Sequence, residues 1–312
     1  SISFGLYSCS PTIASNSFCV LESSKVEYLM CKISPSLKES TTCLAVSSTT
    51  AESNCSGNGM LVSFSEEKKD TKYFMEFLAS ELKVDAQDIL DFELSVFLME
   101  EPMYIGVEDT LISAPRLDNL TSCSGLVSAI IDGERANGIN LIELSDHEEV
   151  GSSTKQGAAS ILLHDMVKRI VKGLGGNDED AERAMYGAMM VSVDVAHGLH
   201  PNKAGKMDIT NKPVLGKGLC IKQACVQSYA TDAETTGIFC QICDSKEIPY
   251  QRFVNRSDVR GGGTLGAISS TMTPVRTMDI GIPMLAMHSS RELMAAADID
   301  SLKDAVTAYF SL

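Results

Sequence analysis

The sequence lacks an excess of positive charge. Among its 312 residues, 26 lysines and arginines stand against 41 aspartates and glutamates, which gives a formal net charge of −15 at pH 7. A chain with this balance has no overall electrostatic attraction to a phosphate backbone or to an anionic lipid surface. The composition therefore argues against nucleic acid and membrane as partners.

Long apolar stretches and targeting signals are also absent. No run approaches the roughly 18 uninterrupted apolar residues of a membrane-spanning helix. The sequence does not open with a basic segment, an apolar segment and a small-residue cleavage site. The ten cysteines lack the dense spacing of a small disulfide-stapled secreted domain, which favours reduced thiols. A soluble, cytoplasmic protein is expected.

Composition changes near residue 65 and divides the chain into two expected regions. Twenty of the first 56 residues are serine or threonine, and five of the ten cysteines lie among the first 55. No hydrophobic period is sustained there for a whole helix, so residues 1–65 are expected to form short strands or to be weakly structured. Residues 66–312 have the composition of an ordinary folded domain.

Residues 66–312 alternate apolar strand patterns with amphipathic helix patterns. This alternation predicts an α/β sandwich with a mostly parallel central sheet flanked by helices, and sites in such sheets gather at strand ends. The strand candidates are 92–98, 139–144, 188–193 and 276–282, and the helix candidates are 73–82, 119–131 and 156–174. Capping-box patterns predict further helix starts at 231–234 and 301–304.

Four segments near the ends of candidate strands contain residues that can bind metal ions. They are PRLDN at 115–119, DHEEVG at 146–151, SVDVAHGLHP at 192–201 and LAMHS at 285–289. Carboxylates with one or two imidazoles suit zinc, cobalt or manganese. Each residue alone also has a structural explanation, since a strand-end aspartate often caps a turn and a lone histidine often packs in a core. Spacing alone leaves both interpretations open.

The four segments together resemble the family of aspartyl aminopeptidase and vacuolar aminopeptidase I, over about residues 66–312. The matching stretches are PRLDNL, EEVGS followed by Gln-Gly-Ala, D-x-AH-x-x-HPN, and LAMHS-x-RE, in this order. The resemblance implies a metallopeptidase-type α/β sandwich that carries an inserted dimerisation domain and assembles into homo-oligomers, commonly dodecamers. It also implies a metallo-aminopeptidase, a hydrolase that removes N-terminal residues, acidic ones among them, from peptide substrates.

The resemblance also implies a set of metal ligands. Asp118 would bridge two metal ions through its carboxylate. Glu149 and His288 would complete the ligands of the first ion, and Asp194 would bind the second. Zinc is the expected metal, with cobalt or manganese as alternatives.

The two adjacent glutamates are expected to have different roles. Neighbouring residues in an extended or turn segment project in different directions, so Glu148 and Glu149 do not easily bind the same ion. The resemblance assigns Glu149 to the metal and makes Glu148 the general base that takes a proton from the attacking water. It further implies a cis peptide bond between Asp118 and Asn119.

Four more residues are expected near the substrate. By resemblance, His200 lies near the substrate, can reach a neighbouring subunit's site and could donate to the developing oxyanion; the alternative is that His197 and His200 only cap or pack their segment. Lys217 matches a lysine associated with an acidic substrate side chain, although a lone lysine before a strand is usually solvated. Gly262 and Gly263 would line the pocket through backbone N–H groups or simply form a tight turn.

The resemblance fails at one metal ligand. The family supplies the remaining ligand of the second metal from an N-terminal His-x-Asp segment, whereas the five histidines of this sequence begin at His147. Asp118 and Asp194 alone would bind zinc weakly, so the second site is expected to be incomplete. Either the chain is a truncated or divergent relative, in which residues 1–65 are a remnant of an N-terminal or dimerisation region, or the sequence omits the authentic start.

Three functions therefore stay open on the sequence alone. The leading hypothesis is a metallo-aminopeptidase, supported by the intact pair of Glu148 and Glu149. The second is a catalytically impaired homologue that serves as a structural or oligomer subunit, supported by the missing histidine. The third is a related metallopeptidase or deacylase with another substrate.

Overall fold

The computed structural model describes residues 2–8, 28–33, 42–47, 71–92, 94–98, 100–259 and 261–312. The chain forms two compact units, one made of Ser1–Ser10 with Pro102–Leu312 and the other of Pro11–Glu101. The boundary predicted between residues 65 and 66 falls in the range 48–70, outside the described residues.

Strands and helices are numbered here in chain order over the described residues. The strands are β1 Ile2–Ser8, β2 Tyr28–Ile33, β3 Thr42–Ser47, β4 Leu94–Leu98, β5 Met103–Ile105, β6 Leu111–Ala114, β7 Ile139–Ser145, β8 Met189–His197, β9 Leu219–Gln223, β10 Tyr250–Val254, β11 Arg276–Leu285 and β12 Glu292–Ala295. The α-helices are α1 Thr71–Leu82, α2 Leu117–Asp132, α3 Leu162–Gly173, α4 Asp178–Tyr186, α5 Ala233–Ser245, α6 Leu265–Met272 and α7 Ala296–Phe310. Short 3-10 helices lie at Ala86–Asp88, Glu148–Val150 and Pro201–Lys206. None of the helices in the described part of the chain has the length and apolarity needed to cross a membrane.

The smaller unit contains an antiparallel sheet with the strand order β3-β2-β4, together with α1. Helix α1 forms where apolar residues recur at helical spacing, so that Phe74, Leu78 and Leu82 share one face. Leu78 and Leu82 are buried in a cluster with Ile89. The ring of Phe74 meets that of Phe92 edge-on, with centroids 5.5 Å apart. The helix predicted over 73–82 is thus confirmed.

The larger unit is built on a sheet of nine described strands. Its main path runs β5-β6-β12-β11-β8-β1-β7, while β9 pairs with β11 and carries β10. β8 is parallel to β1 and β11, and β1 is parallel to β7. Because β12 is antiparallel to both β11 and β6, the strands β6, β7, β8 and β11 all point the same way.

The prediction of a mostly parallel sheet is wrong. Among the eight pairings of described strands in this sheet, four are parallel and four are antiparallel. Parallel neighbours need a crossover of about a dozen residues or more, whereas the chain passes from β5 to β6 and from β11 to β12 through the short turns 106–110 and 286–291. The α/β class itself, with helices flanking a central sheet, is confirmed.

The core of the larger unit lies on both faces of β8. Successive residues of a strand point to opposite faces. Val191, Val193 and Val195 therefore share one face, where they belong to a buried cluster with residues of α2 and α7. Met190 points to the other face and is buried with residues of α3 and α4. A strand that is covered on both faces consists of a continuous run of apolar residues, which is why β8 can be predicted from the sequence.

Three helix starts differ from the prediction. Residues 156–161 form turns, and α3 begins only at Leu162. The cap of α5 is Asp232 with Thr235, because the hydroxyl of Thr231 instead accepts a hydrogen bond from a backbone N–H of β11. Helix α7 begins at Ala296, ahead of the predicted serine cap, which lies buried inside the helix. Short capping patterns are therefore overridden by contacts with residues distant in sequence.

Candidate active site

One edge of the large sheet supplies the predicted metal-binding residues. Asp118 follows β6, and Glu148 and Glu149 follow β7 in a 3-10 helix. Asp194 lies in β8, and His288 follows β11. Because these four strands point the same way, their carboxyl ends share one edge, where sheets of this class bind ligands. All five residues line one cavity of about 510 Å³, called here the carboxylate cavity.

Asp118, Glu149 and His288 form a compact group of possible ligands. His288 Nε2 lies 3.1 Å from Asp118 Oδ2 and 3.3 Å from Glu149 Oε2. One ligand atom from each residue lies within 4.8 Å of the other two. The Asp118 side chain is 6% exposed, whereas those of His288 and Glu149 are 61% and 54% exposed, so the group opens toward the cavity. Two carboxylates, one imidazole and an open side fit a zinc ion.

The backbone around this group adopts left-handed conformations. The φ angles of Arg116, His147, Ala286 and His288 are 58°, 58°, 57° and 66°. This region is unfavourable for residues other than glycine, and such residues concentrate where a site demands a particular geometry. Three of the four predicted segments therefore contain local backbone geometry typical of functional sites.

Glu292 connects the backbones of two of the possible ligands. Its Oε2 accepts a hydrogen bond from the Asp118 N–H at 2.9 Å, and its Oε1 accepts one from the His288 N–H at 2.7 Å. The residue is 2% exposed, and burial raises the pKa of its carboxyl group. Sequence reasoning missed this role. The available signal was the position of Glu292 at the end of the LAMHS-x-RE stretch.

Asp194 lies in the same cavity but in different surroundings. Its Oδ1 accepts a hydrogen bond from Asn119 Nδ2 at 3.0 Å, and its Oδ2 accepts one from Lys222 Nζ at 3.1 Å. The Lys222 side chain is only 3% exposed. Burial acts to lower the pKa of Lys222, but Asp194, Tyr229 and Asp279 together outweigh it, and the pKa is raised. Both oxygens of Asp194 thus have protein partners. The peptide bond between Asp118 and Asn119 is cis, as the resemblance implies.

Glu148 lines the cavity outside the ligand group. Burial, assisted by the carboxylates of Asp194 and Glu149, raises the pKa of Glu148 to about 8. Burial and the Asp118 carboxylate raise the pKa of Glu149 to about 7. A carboxyl group that titrates near neutrality can accept a proton and return it at physiological pH. Glu148 and Glu149 also differ in their contacts, because the Glu149 carboxylate contacts the His288 ring.

The two histidines of the segment 192–201 have different surroundings. Nδ1 of His200 accepts a hydrogen bond from the Asn202 N–H at 3.2 Å, which caps the 3-10 helix that follows. His200 lines a neighbouring cavity rather than the carboxylate cavity. His197 lines both cavities and packs against Phe253, with ring centroids 6.4 Å apart. His200 therefore makes the helix-capping contact that was the alternative interpretation of this residue.

The structure does not bring Lys217 to the site. Lys217 is exposed and lines neither of these two cavities of the described chain. Lys222, five positions later in β9, lines the carboxylate cavity instead. Sequence reasoning missed Lys222, although a lysine directly after the three apolar residues that begin the strand Leu219–Gln223 was a signal that it has a buried partner.

Gly262 and Gly263 form part of the wall of the carboxylate cavity. A Cβ on Gly263 would lie 3.2 Å from the carbonyl oxygen of Ser228, whereas one on Gly262 would meet nothing within 4 Å. The next residue, Thr264, donates from its hydroxyl to Asp279 Oδ1 at 2.5 Å, which anchors the segment to β11. The expected location is found, and a role in substrate binding stays a prediction.

Known proteins resemble this chain over most of its length. The family model described as Aminopeptidase I zinc metalloprotease (M18) matches residues 33–310, so the likeness begins earlier than residue 66. A protein of Clostridium novyi named "Probable M18 family aminopeptidase 2" is 44% identical over 232 residues, 74% of this chain and 53% of that protein. A protein of the same name from Clostridium acetobutylicum is 41% identical over 226 residues, which are 72% of this chain and 52% of that protein. The chain thus spans about half the length of the curated relatives it matches.

Solved structures share the fold. The M18-family aminopeptidase of Thermotoga maritima has a TM-score of 0.75 at 17% identity, covering 92% of this chain and 71% of that chain. The S. cerevisiae mApe1 dodecamer has a TM-score of 0.73 at 19% identity, and the match covers 99% of this chain and 79% of that chain. These identities are too low to show more than a shared fold. The family match over residues 33–310 goes further, and it shows that this chain belongs to the M18 family of aminopeptidase I zinc metalloproteases.

Proposed function

We propose that this chain provides the catalytic domain of a metal-dependent aminopeptidase that removes N-terminal residues, acidic ones included, from peptides. The observation that carries the proposal is the convergence of Asp118, Glu149 and His288 at one point of a cavity that also contains Glu148. The free amino group of a peptide is positively charged, so a cavity rich in carboxylates attracts it. Membership of the M18 family supports the same reaction class.

Three side chains would hold the metal. Asp118, Glu149 and His288 offer donors suited to zinc, and cobalt or manganese would accept the same set. An ion bound there supplies Lewis acidity toward the scissile carbonyl and lowers the pKa of water. Glu292 keeps the Asp118 and His288 backbones at a set separation by accepting a hydrogen bond from each.

Glu148 is the proposed general base. Its carboxylate accepts the proton of the attacking water and then delivers it to the amino group that leaves. A positioned acid–base group of this kind contributes typically about 10²–10⁴-fold in rate. Its exposure to the cavity and its raised pKa are consistent with both proton transfers.

A preference for an acidic first residue requires a cation in the cavity. Among the described residues, Lys222 is the lysine that lines it, and we assign to Lys222 the role expected of Lys217. Lys222 Nζ already lies 3.1 Å from Asp194 Oδ2. An acidic substrate side chain would therefore compete with Asp194 for this ammonium group.

The test is hydrolysis of arylamides of aspartate, glutamate, alanine and leucine by the metal-stripped protein after zinc, cobalt or manganese is added back. We expect metal-dependent turnover that is fastest for the acidic substrates. The matched variant Glu148→Gln should bind metal like the parent and lose nearly all activity. Full activity in the metal-stripped protein, or in Glu148→Gln, would overturn the proposal.

A second candidate function is that of a catalytically impaired homologue that serves as a structural or oligomer subunit. The specific observation in its favour is Asp194, whose two carboxylate oxygens have Asn119 and Lys222 as partners. Metal content and turnover distinguish the two functions. One bound ion with no turnover of any arylamide would support the impaired homologue.

We also propose that the chain forms a homo-oligomer, because the S. cerevisiae neighbour mApe1 is described as a dodecamer. Light scattering at micromolar concentration tests this proposal, and a monomer would contradict it. The cytoplasmic location expected from the sequence stays a prediction.

A further inference from the structure

A second cavity of about 520 Å³ adjoins the carboxylate cavity. The two cavities share five lining residues, which are His197, Phe253, Asn255, Gly262 and Met287. The two cavities therefore lie side by side, with these residues between them. A ligand bound at the possible metal site could therefore extend into the second cavity.

The second cavity has the opposite charge to the first. Lys203 and Lys206 of the 3-10 helix Pro201–Lys206 line it, as does Arg256, and we call it the lysine cavity. In contrast, the carboxylate cavity has four acidic side chains and one lysine. Opposite charges at the two ends favour a ligand that is positive at one end and negative at the other.

Little of the positive charge in the lysine cavity is neutralised within the described chain. Lys203 and Lys206 have no ion-pair partner among the described residues, whereas Arg256 pairs with Asp258. Asp208 is the carboxylate that lines this cavity, and its Oδ1 accepts hydrogen bonds from the Thr210 and Asn211 N–H groups at 2.9 and 2.7 Å. Two ammonium groups are thus open to a ligand.

The deeper wall of the lysine cavity is apolar. Phe253 and Met284 are buried there, and Met287 continues the surface toward the carboxylate cavity. Ligand sites commonly combine apolar walls with a few charged groups that fix orientation. A peptide segment meets both requirements because it presents side chains to the wall and can carry carboxylates.

We infer that the lysine cavity binds the part of the peptide that follows the scissile bond and favours an acidic side chain or a terminal carboxylate there. This inference rests on the proposed function, which places the peptide's amino group among the carboxylates of the first cavity. The rest of the chain then runs past the shared wall toward Lys203 and Lys206. The substrate class is a peptide with a free amino group and negative charge a few residues downstream.

The experiment compares two kinds of substrate that share the same first residue. An arylamide reports on the carboxylate cavity without a downstream peptide. Peptides with glutamate, glutamine or lysine at the second and third positions report on both cavities. The variants are Lys203→Gln/Lys206→Gln and Lys203→Glu/Lys206→Glu, with Lys246→Gln as a matched control because Lys246 is exposed and lines neither cavity.

For the parent protein and Lys246→Gln, we expect kcat/KM for glutamate peptides to exceed that for glutamine peptides by about 2- to 5-fold per lysine, the range for partly exposed ion pairs. The difference should lie mainly in KM and shrink at high salt. The glutamine double variant should lose the preference, and the glutamate double variant should favour lysine peptides. Arylamide turnover should be unchanged in both.

Two failures are distinguishable. Normal arylamide turnover without a preference, or a preference that survives both double variants, overturns the inference and leaves the proposed function intact. Absence of arylamide turnover in the parent overturns the proposed function. The inference is then judged by calorimetric titration of the same peptides, where equal binding of glutamate, glutamine and lysine peptides would refute it.

Discussion

The carboxylate cavity has two halves that use the same residue types in different surroundings. In one half, Asp118, Glu149 and His288 face one another, and the side chains of Glu149 and His288 are more than half exposed. In the other, Asp194 is paired with the buried Lys222. The first half collects negative charge and therefore suits a cation. The second half already contains a cation of its own, supplied by the chain.

We infer from this comparison that the two halves differ in their capacity to bind a metal ion. The partners of a carboxylate's oxygens decide whether it is free to bind an ion. Glu292 accepts only the backbone N–H of Asp118, and the Asp118 carboxylate contacts His288 of the same group. In contrast, Asn119 and Lys222 both contact the Asp194 carboxylate. Substitutions in the two halves should therefore have different consequences.

The largest expected effect separates the two adjacent glutamates. Glu148→Gln should keep metal affinity and lose about 10²–10⁴-fold in kcat, because the shape survives and the proton acceptor does not. Glu149→Gln should weaken metal binding, so its activity should recover partly at high metal concentration. A metal titration of both variants checks this prediction. Rescue of Glu148→Gln by metal would show that the two roles are reversed.

The next effect concerns stability in the Asp194 half. Lys222→Met leaves a buried carboxylate without its cation, and breaking a buried pair in this way costs about 3–5 kcal/mol in the free energy of unfolding. The double variant Asp194→Asn/Lys222→Met should lose much less. Glu149→Gln, in the exposed half, should lose under about 1 kcal/mol.

Urea denaturation of the metal-free variants measures these differences. Equal losses for Lys222→Met and Glu149→Gln would remove the distinction between the halves.

A smaller effect is expected for Glu292→Gln, which keeps the shape but replaces one acceptor by a donor. Loss of a group that orients ligands typically costs about 10–100-fold in metal affinity. Asp298→Asn is the matched control, since Asp298 is a buried carboxylate that accepts hydrogen bonds from the Gly216 and Gly218 N–H groups at 2.7 Å each and lines neither cavity.

Calorimetry with zinc and the absorption spectrum of the cobalt form check this prediction. Equal affinity losses in Glu292→Gln and Asp298→Asn would mean that Glu292 acts only through general stability.

The smallest effect is a pH dependence of stability in the absence of metal. The pKa of Glu148 is raised to about 8 and that of Glu149 to about 7, from an ordinary value of 4.5. A carboxyl group with a raised pKa in the folded state stabilises the fold below its ordinary pKa and loses that contribution as pH rises through the raised value.

The free energy of unfolding with chelator present should therefore fall between about pH 5 and about pH 8, by about 1 kcal/mol or less per pH unit because solvent screens the cavity. Glu148→Gln should reduce the slope. A free energy that rises with pH in this range would contradict the cause given for these shifts.

Some of these features were predictable from the sequence because they depend on local pattern. Apolar strand β8 and the segments around Asp118, Glu149 and His288 were recognised in this way, since strand ends that point in one direction share an edge of the sheet. Helix α1 was recognised from its apolar spacing alone.

Other features depend on contacts between residues distant in sequence, which no local pattern reports. The pairing of β12 with β6 and β11 makes the sheet mixed, and the partner of Asp194 lies 28 positions later in another strand. Lys217 was chosen by resemblance where Lys222 is the residue in the cavity. A lysine is usually expected to be exposed to solvent, and only the three-dimensional structure shows that Lys222 is buried beside Asp194.

The most direct test of the account is a calorimetric titration of the metal-free chain with zinc. We predict one tight site per chain, lost in His288→Ala and retained in Asp194→Asn, because the carboxylates of the first half contact a possible metal ligand, His288, whereas Asp194 is paired with a lysine. Two equivalent tight sites, or a tight site that survives His288→Ala and disappears in Asp194→Asn, would contradict it.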